Sequence, residues 1–163
     1  MAIVQLDKIL SGVNGNLEHV VVYNKDTYAT KLKDYTNGVF VALGGLEDGE
    51  REAKKASLAK GDESDILLVH APELMYDEKK KLRDFRIEEG TVVRAYRLTS
   101  GDIITFTEDL LPAGVAVKQE IAIKDGKLVK SSEQVGAKLV FTVIEDSGNE
   151  LDITKKAFAL QVK

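Results

Sequence analysis

The 163-residue chain has no cysteine and no tryptophan, and only two prolines and two methionines. The missing cysteine excludes disulfide staples, cysteine-liganded zinc and thiol nucleophiles. Stability in harsh surroundings must therefore come from packing or assembly. Aromatic side chains are few, with five Tyr and five Phe, fewer than a stacking platform for sugars or bases ordinarily uses. Charge of one sign is not concentrated either. Lys and Arg, 23 in all, are scattered among 27 Asp and Glu, for a formal net charge of −4. A chain without a basic stripe is a poor ligand for nucleic acid, and none is expected as a partner. Apolar runs such as residues 39–43 and 66–69 fall far short of the roughly 20 residues a membrane helix needs, so no membrane is expected. Residues 1–10 lack the basic start and long apolar stretch of a secretory signal, which points to synthesis and folding in a cytoplasm.

What is present is ordinary globular composition, 44% hydrophobic and 31% charged, in a chain long enough for one domain with a real core. The dominant pattern is short runs of β-branched residues between turn residues. Residues 17–23 hold three adjacent valines, poor material for a helix and good material for a strand. Asn37-Gly38 turns into a second strand over 39–43, which Gly44-Gly45 is expected to break. Residues 47–60 have the Ala and Lys of a helix but no clear period, so their type stays open. A third strand over 66–70 stops at Pro72. Residues 91–98 and 103–107, separated by Ser100-Gly101-Asp102, are expected to pair as a hairpin. Asp125-Gly126 predicts another between 115–123 and 127–129. Residues 137–144 form a strand that turns at 146–149, and 157–162 close the chain. The fold class expected is mainly β, short antiparallel strands in a sandwich or barrel, with minor helix and an N-terminal arm. Nothing alternates as β-α-β, so a doubly wound sheet is not expected.

The arm is residues 1–16, and a β-rich globular region covers 17–163, with a subdivision point expected near 86–90. Ile3, Val4, Leu6, Ile9 and Leu10 are apolar and need burial, yet the turn-prone stretch 11–16 separates them from the first strand. A partner surface is the expected burial site, because apolar segments beyond a flexible linker are candidates for coupled folding and binding. The alternative is the chain's own core.

Residues with chemical potential are sparse. His19 and His70 fall in or beside strands, and two histidines are too few for zinc, which takes three or four protein ligands. His70 with Glu73 is half of an acid–base pair without a nucleophile. Residues 61–65, Gly-Asp-Glu-Ser-Asp, are acidic but lack the alternating ligand spacing of a calcium loop. Lys79-Lys80-Lys81 with Arg83 and Arg86 lies among six carboxylates, a near-neutral solvated surface. No catalytic residue, cofactor or metal is expected.

Three stretches carry a resemblance: Asn37-Gly38-Val39-Phe40-Val41-Ala42-Leu43-Gly44-Gly45-Leu46-Glu47, residues 66–78 beginning Ile66-Leu67-Leu68-Val69-His70-Ala71-Pro72-Glu73, and residues 90–102 beginning Gly90-Thr91-Val92-Val93-Arg94-Ala95-Tyr96-Arg97. Together they resemble capsid decoration, or cement, proteins of tailed phages infecting Gram-positive bacteria. The resemblance implies a non-enzymatic virion protein on the capsid surface. It would bind the major capsid protein lattice, with itself as a further partner in a homo-oligomer. The arm residues Ile3, Val4, Leu6, Ile9 and Leu10 are then the candidate capsid contacts. The competing expectation is a ligand- or carbohydrate-binding β module of a host-adhesion apparatus, which predicts a concave pocket with exposed aromatics drawn from Tyr23, Tyr28, Tyr35, Tyr76 and Tyr96.

Overall fold

A computed structural model describes residues 3–8, 16–73 and 84–163. Among these the chain is mainly β, in eleven strands: β1 Val4–Lys8, β2 Leu17–Tyr23, β3 Phe40–Leu46, β4 Ala53–Leu58, β5 Ile66–Val69, β6 Val93–Arg97, β7 Ile103–Thr107, β8 Glu120–Lys124, β9 Lys127–Lys130, β10 Val140–Asp152 and β11 Lys155–Val162. Two sheets result. Strands β2-β4-β3-β5-β6 close into a barrel, and β1-β7-β11-β10-β8-β9 form an open six-stranded sheet. All pairings are antiparallel except β2 with β4.

The side-chain period of two explains the barrel. In β5 all four residues are buried, but on opposite sides. Leu67 and Val69 join Val20, Val22, Val41, Ala56, Val93 and Ala95 in the barrel interior. Ile66 and Leu68 point outward, into a second core shared with the open sheet. A strand buried on both faces has no polar face to show, hence its unbroken apolar run. Strand β4, of undecided type from its Lys-rich sequence, places the small Ala56 in the narrow barrel interior and the buried Ala53 on its opposite face. Lys54 pairs with Glu18 and Lys55 with Asp48, each at 3.0 Å.

The shared core joins Phe40, Ile66 and Leu68 of the barrel to Ile104, Phe106, Ile121, Ile123, Phe141, Val143 and Leu160 of the sheet. Phe40, Phe106 and Phe141 form a triangle, with centroids 6.3, 5.7 and 6.4 Å apart. Two backbone approaches stitch the same interface. Gly126, in the turn between β8 and β9, donates to the Ala59 carbonyl at 2.7 Å, and its own carbonyl accepts from Phe40 at 3.0 Å. A Cβ on Gly61 would lie 1.9 Å from the Ile123 carbonyl oxygen, and Gly61 adopts φ +105°. Only glycine fits that position.

Several expectations need correction. Residues 91–98 and 103–107 do not pair. Strand β6 pairs with β2 and β5, while β7 pairs with β1 and β11. The intervening turn is real, held by Asp102 accepting from the Thr99 amide at 2.8 Å. It carries the chain from barrel to sheet, because long-range partners occupy both edges of each strand. The change from barrel to sheet falls at residues 98–102. Gly44-Gly45 does not end β3. The register shifts between Leu43 and Leu46, and Gly44 admits the Tyr28 hydroxyl, which would sit 2.2 Å from a Cβ there. That is the use of glycine at an irregular strand position. Residues 146–149 are likewise register shifts within β10, and the chain turns at Ile153-Thr154.

The arm also differs from expectation. Its described part forms β1, paired with β7 through Val4↔Phe106, Gln5↔Thr105 and Leu6↔Ile104. Ile3 and Val4 are buried in the chain's own fold, and Leu6 packs against the shared core. Ile9 and Leu10 lie outside the described residues. Burial went to the chain's own core because β7 offered an open edge and Thr107 a polar anchor. The Thr107 hydroxyl accepts from the Ile3 amide at 2.9 Å.

Candidate functional site

The titratable groups are committed to structure. His19 is exposed on β2 opposite Arg94 of β6. His70 follows β5. Its Nε2 lies 3.3 Å from the Val4 carbonyl, and its ring meets Tyr96 edge-on. Glu73 accepts from Asn37 at 3.1 Å. The acidic run 61–65 is also engaged. Glu63 accepts the amides of Lys60 and Gly61 at 2.9 and 2.8 Å, and Asp65 takes two hydrogen bonds from Arg97 at 2.6 and 2.9 Å. The hydrogen bond from Arg97 holds the Asp65 carboxyl below its ordinary value against partial burial. Among the described residues no group of three His, Cys, Asp or Glu is placed to hold a metal. Lys79, Lys80, Lys81 and Arg83 lie outside the described residues, and Arg86 donates to the Phe85 carbonyl at 2.7 Å.

Tyr23 donates to both Glu47 oxygens at 2.9 and 2.8 Å, and Lys31 pairs with the same carboxylate at 3.1 Å. Burial and then the Glu47 carboxylate raise the Tyr23 phenol above its ordinary value. Burial pushes the Tyr35 phenol far higher still. These tyrosines are wedges in the fold. None of the four described tyrosines lines the two surface concavities described below.

Asp109 anchors the end of the sheet where β1 begins. Its carboxylate accepts from Thr107 at 2.6 Å and from Lys155 at 2.7 Å. Burial would raise its pKa, but these hydrogen bonds outweigh it and bring the value down to about 2. A depressed folded pKa contributes stability that is complete above the ordinary aspartate range and is lost as pH falls through the folded value. Wild-type protein should therefore lose stability more steeply than Asp109→Asn between pH about 4 and about 2. Urea midpoints measured across that interval check this, and parallel curves would refute it.

Three surface features remain. The first lies on the face of the six-stranded sheet turned away from the shared core, where Thr105, Thr107, Ala157 and Ala159 are buried. A concavity of about 270 Å³ there is lined by Ile103, Ile144 and Leu151 with Gln5, Glu145 and Glu150 at its edge. The second is a groove of about 490 Å³ on the barrel wall. Ala71, Phe85, Ile87, Val92 and Val93 give it an apolar lining, and His19, Arg86, Arg94 and Glu88 give it polar side chains. The third is the β10–β11 hairpin. Strand β10 pairs with β8 over Val140, Phe141 and Thr142, and β11 meets β7 from Ala157 onward. Beyond those pairings the hairpin closes through Asp152↔Lys155, with Ile153 exposed at its tip. Sequence reading passed over Ile144 and Ile153. The signal for them was apolar residues at positions where alternation and turn chemistry call for polar ones.

Comparisons with protein-family models, with curated proteins and with solved structures find no match for this chain.

Proposed function

We propose that the chain is a non-enzymatic structural protein that docks as a preformed β body on a repeating protein surface. In particular, we read it as a decoration protein of a phage head, bound to the major capsid protein lattice. The observation that carries the reading is the concavity on the sheet face turned away from the core, where Ile103, Ile144 and Leu151 lie beside Gln5, Glu145 and Glu150. Antiparallel sheets normally turn a polar face to water, and apolar residues grouped on such a face mark a contact surface. The resemblance of residues 37–47, 66–78 and 90–102 to cement proteins points the same way. The carbohydrate-binding alternative is disfavoured because none of the four described tyrosines lines either concavity.

The test mixes purified chain with shells of the major capsid protein encoded by the same phage genome. Wild type should co-sediment at a fixed ratio. Ile144→Glu, on a residue 38% exposed, should weaken binding at least about tenfold, since a charge facing an apolar contact costs more than 1.4 kcal/mol. No co-sedimentation overturns the reading, and equal binding by the variant removes the contact from this face.

A further inference from the structure

The concavity on the sheet face carries charge that nothing in the described chain answers. Glu145 and Glu150 line it, and no lysine, arginine or histidine does. Neither carboxylate has an ion pair or a hydrogen bond among the described residues. The two lysines of the same hairpin pair with other carboxylates, Lys155 with Asp109 at 2.7 Å and Lys156 with Asp146 at 3.7 Å. Two other hollows of the surface are balanced. One sets Glu108 beside Lys156, and the other sets Glu63 and Asp65 beside Arg97 and Lys138.

While the face meets water the imbalance costs little, because exposed carboxylates are hydrated and gain little from pairing. Docking changes that. A partner protein seated on Ile103, Ile144 and Leu151 strips water from the two carboxylates beside them. A charge buried without a counter-charge is strongly unfavourable. Only a cation brought by the partner offsets that cost. Size narrows its form. A concavity of about 270 Å³ falls below the roughly 300–1,000 Å³ of sites that enclose a drug-sized ligand, and suits one long side chain. Lysine and arginine bury their methylene stems along apolar surface and keep the charged head at its edge. The lining supplies both parts, three apolar side chains for the stem and two carboxylates for the head.

We propose that the partner protein inserts one lysine or arginine side chain into this concavity, with its stem on Ile144 and Leu151 and its charged head at Glu145 and Glu150. The proposal rests on the reading of this face as the contact surface. It deepens that reading by naming what the partner must present there, a basic side chain standing out from its surface.

The double variant Glu145→Gln with Glu150→Gln separates this from a purely apolar contact by the sign of its effect. Both residues are exposed, so the variant should keep the wild-type melting curve. With a basic side chain seated, loss of both carboxylates should weaken shell binding about fivefold or more, and the gap should narrow as salt is raised. With an apolar contact and no cation, the same change removes the cost of burying two charges, and binding tightens. Variant binding equal to or tighter than wild type therefore overturns the proposal and leaves the lattice reading standing. If wild type binds no shells, the lattice reading fails and a small probe decides this one. N-acetyl-arginine amide, titrated over the millimolar range into the isotope-labelled full chain, should shift the backbone resonances of Ile144, Ser147 and Leu151 several-fold more than N-acetyl-norleucine amide does. Those shifts should vanish in the double variant. Equal shifts from the two amides, no shifts, or shifts that survive in the double variant overturn the proposal.

Discussion

Removing residues 1–10 should lower the melting temperature by on the order of 10 °C or more. Ile3 is 8% and Val4 is 4% exposed, and each full apolar burial is worth roughly 1.5–3 kcal/mol. For a chain of this length, 1 kcal/mol moves the midpoint by roughly 2–4 °C. The loss does not stop at those side chains. Without β1, the outer edge of β7 is bare, and Phe106, now fully buried and paired with Val4, gains a path to water. The Thr107 hydroxyl loses the Ile3 amide, and the His70 ring loses the Val4 carbonyl. The deletion thus loosens both the sheet and the contact between sheet and barrel. Differential scanning calorimetry is the direct check. A midpoint within about 2 °C of wild type, with capsid affinity lost instead, would restore the arm to the role of a partner-binding segment.

The strands that could be read from sequence were those whose two faces agree with the local pattern. The run of 17–23 is β2, and Ile103–Thr107 is β7. Asp125-Gly126 makes the turn expected of it, with both residues at positive φ. Where reading failed, the cause was non-local. Ser100-Gly101-Asp102 has every local mark of a hairpin turn, but a turn specifies only a reversal, not which edges the returning strand finds. Edges were available on β1 and β11 for β7, and on β2 and β5 for β6. Gly44-Gly45 and residues 146–149 looked like stops because glycine usually punctuates strands. In this chain they are register shifts. Their reasons, the Tyr28 hydroxyl over Gly44 and the long pairing of β10 with β11, lie elsewhere in the chain. Strand β4 escaped because alanine and lysine favour helices in isolation, whereas a narrow barrel interior rewards small side chains.

The candidate surfaces were harder to read than the fold, for a related reason. His19, His70, Glu73 and the carboxylates of 61–65 attracted notice by residue type, and the structure gives each a structural partner or an exposed position without convergence. The apolar residues that make surfaces, Ile103, Ile144, Leu151 and Ile153, read in sequence as ordinary strand residues. Only the sheet order tells which of them face outward, and only the closure of the hairpin through Asp152↔Lys155 tells that Ile153 is exposed at its tip.

Truncating Phe40 to alanine should destabilise the protein by about 3–5 kcal/mol, the usual loss for a fully buried phenylalanine. The position is a sharper test than its size suggests. Phe40 belongs to the barrel by backbone, yet its ring sits 6.3 Å from Phe106 and 5.7 Å from Phe141 of the open sheet. Its neighbour Val41 points into the barrel interior. If the shared core couples the two sheets, Phe40→Ala must lower amide protection in β2–β6 and in β7–β11 together, through one cooperative transition. Val41→Ala acts on the same strand one residue away, and through the same coupling it should also lower both sets, by a smaller amount set by the smaller side chain. Hydrogen exchange read strand by strand distinguishes the outcomes. Loss of protection confined to the barrel strands in Phe40→Ala would mean that the sheets open independently, and that the aromatic triangle contributes packing without cooperativity. Equal losses across both sheets would place the cooperative unit of this chain in the contact between its sheets, where the Gly61 and Gly126 backbone approaches also fall.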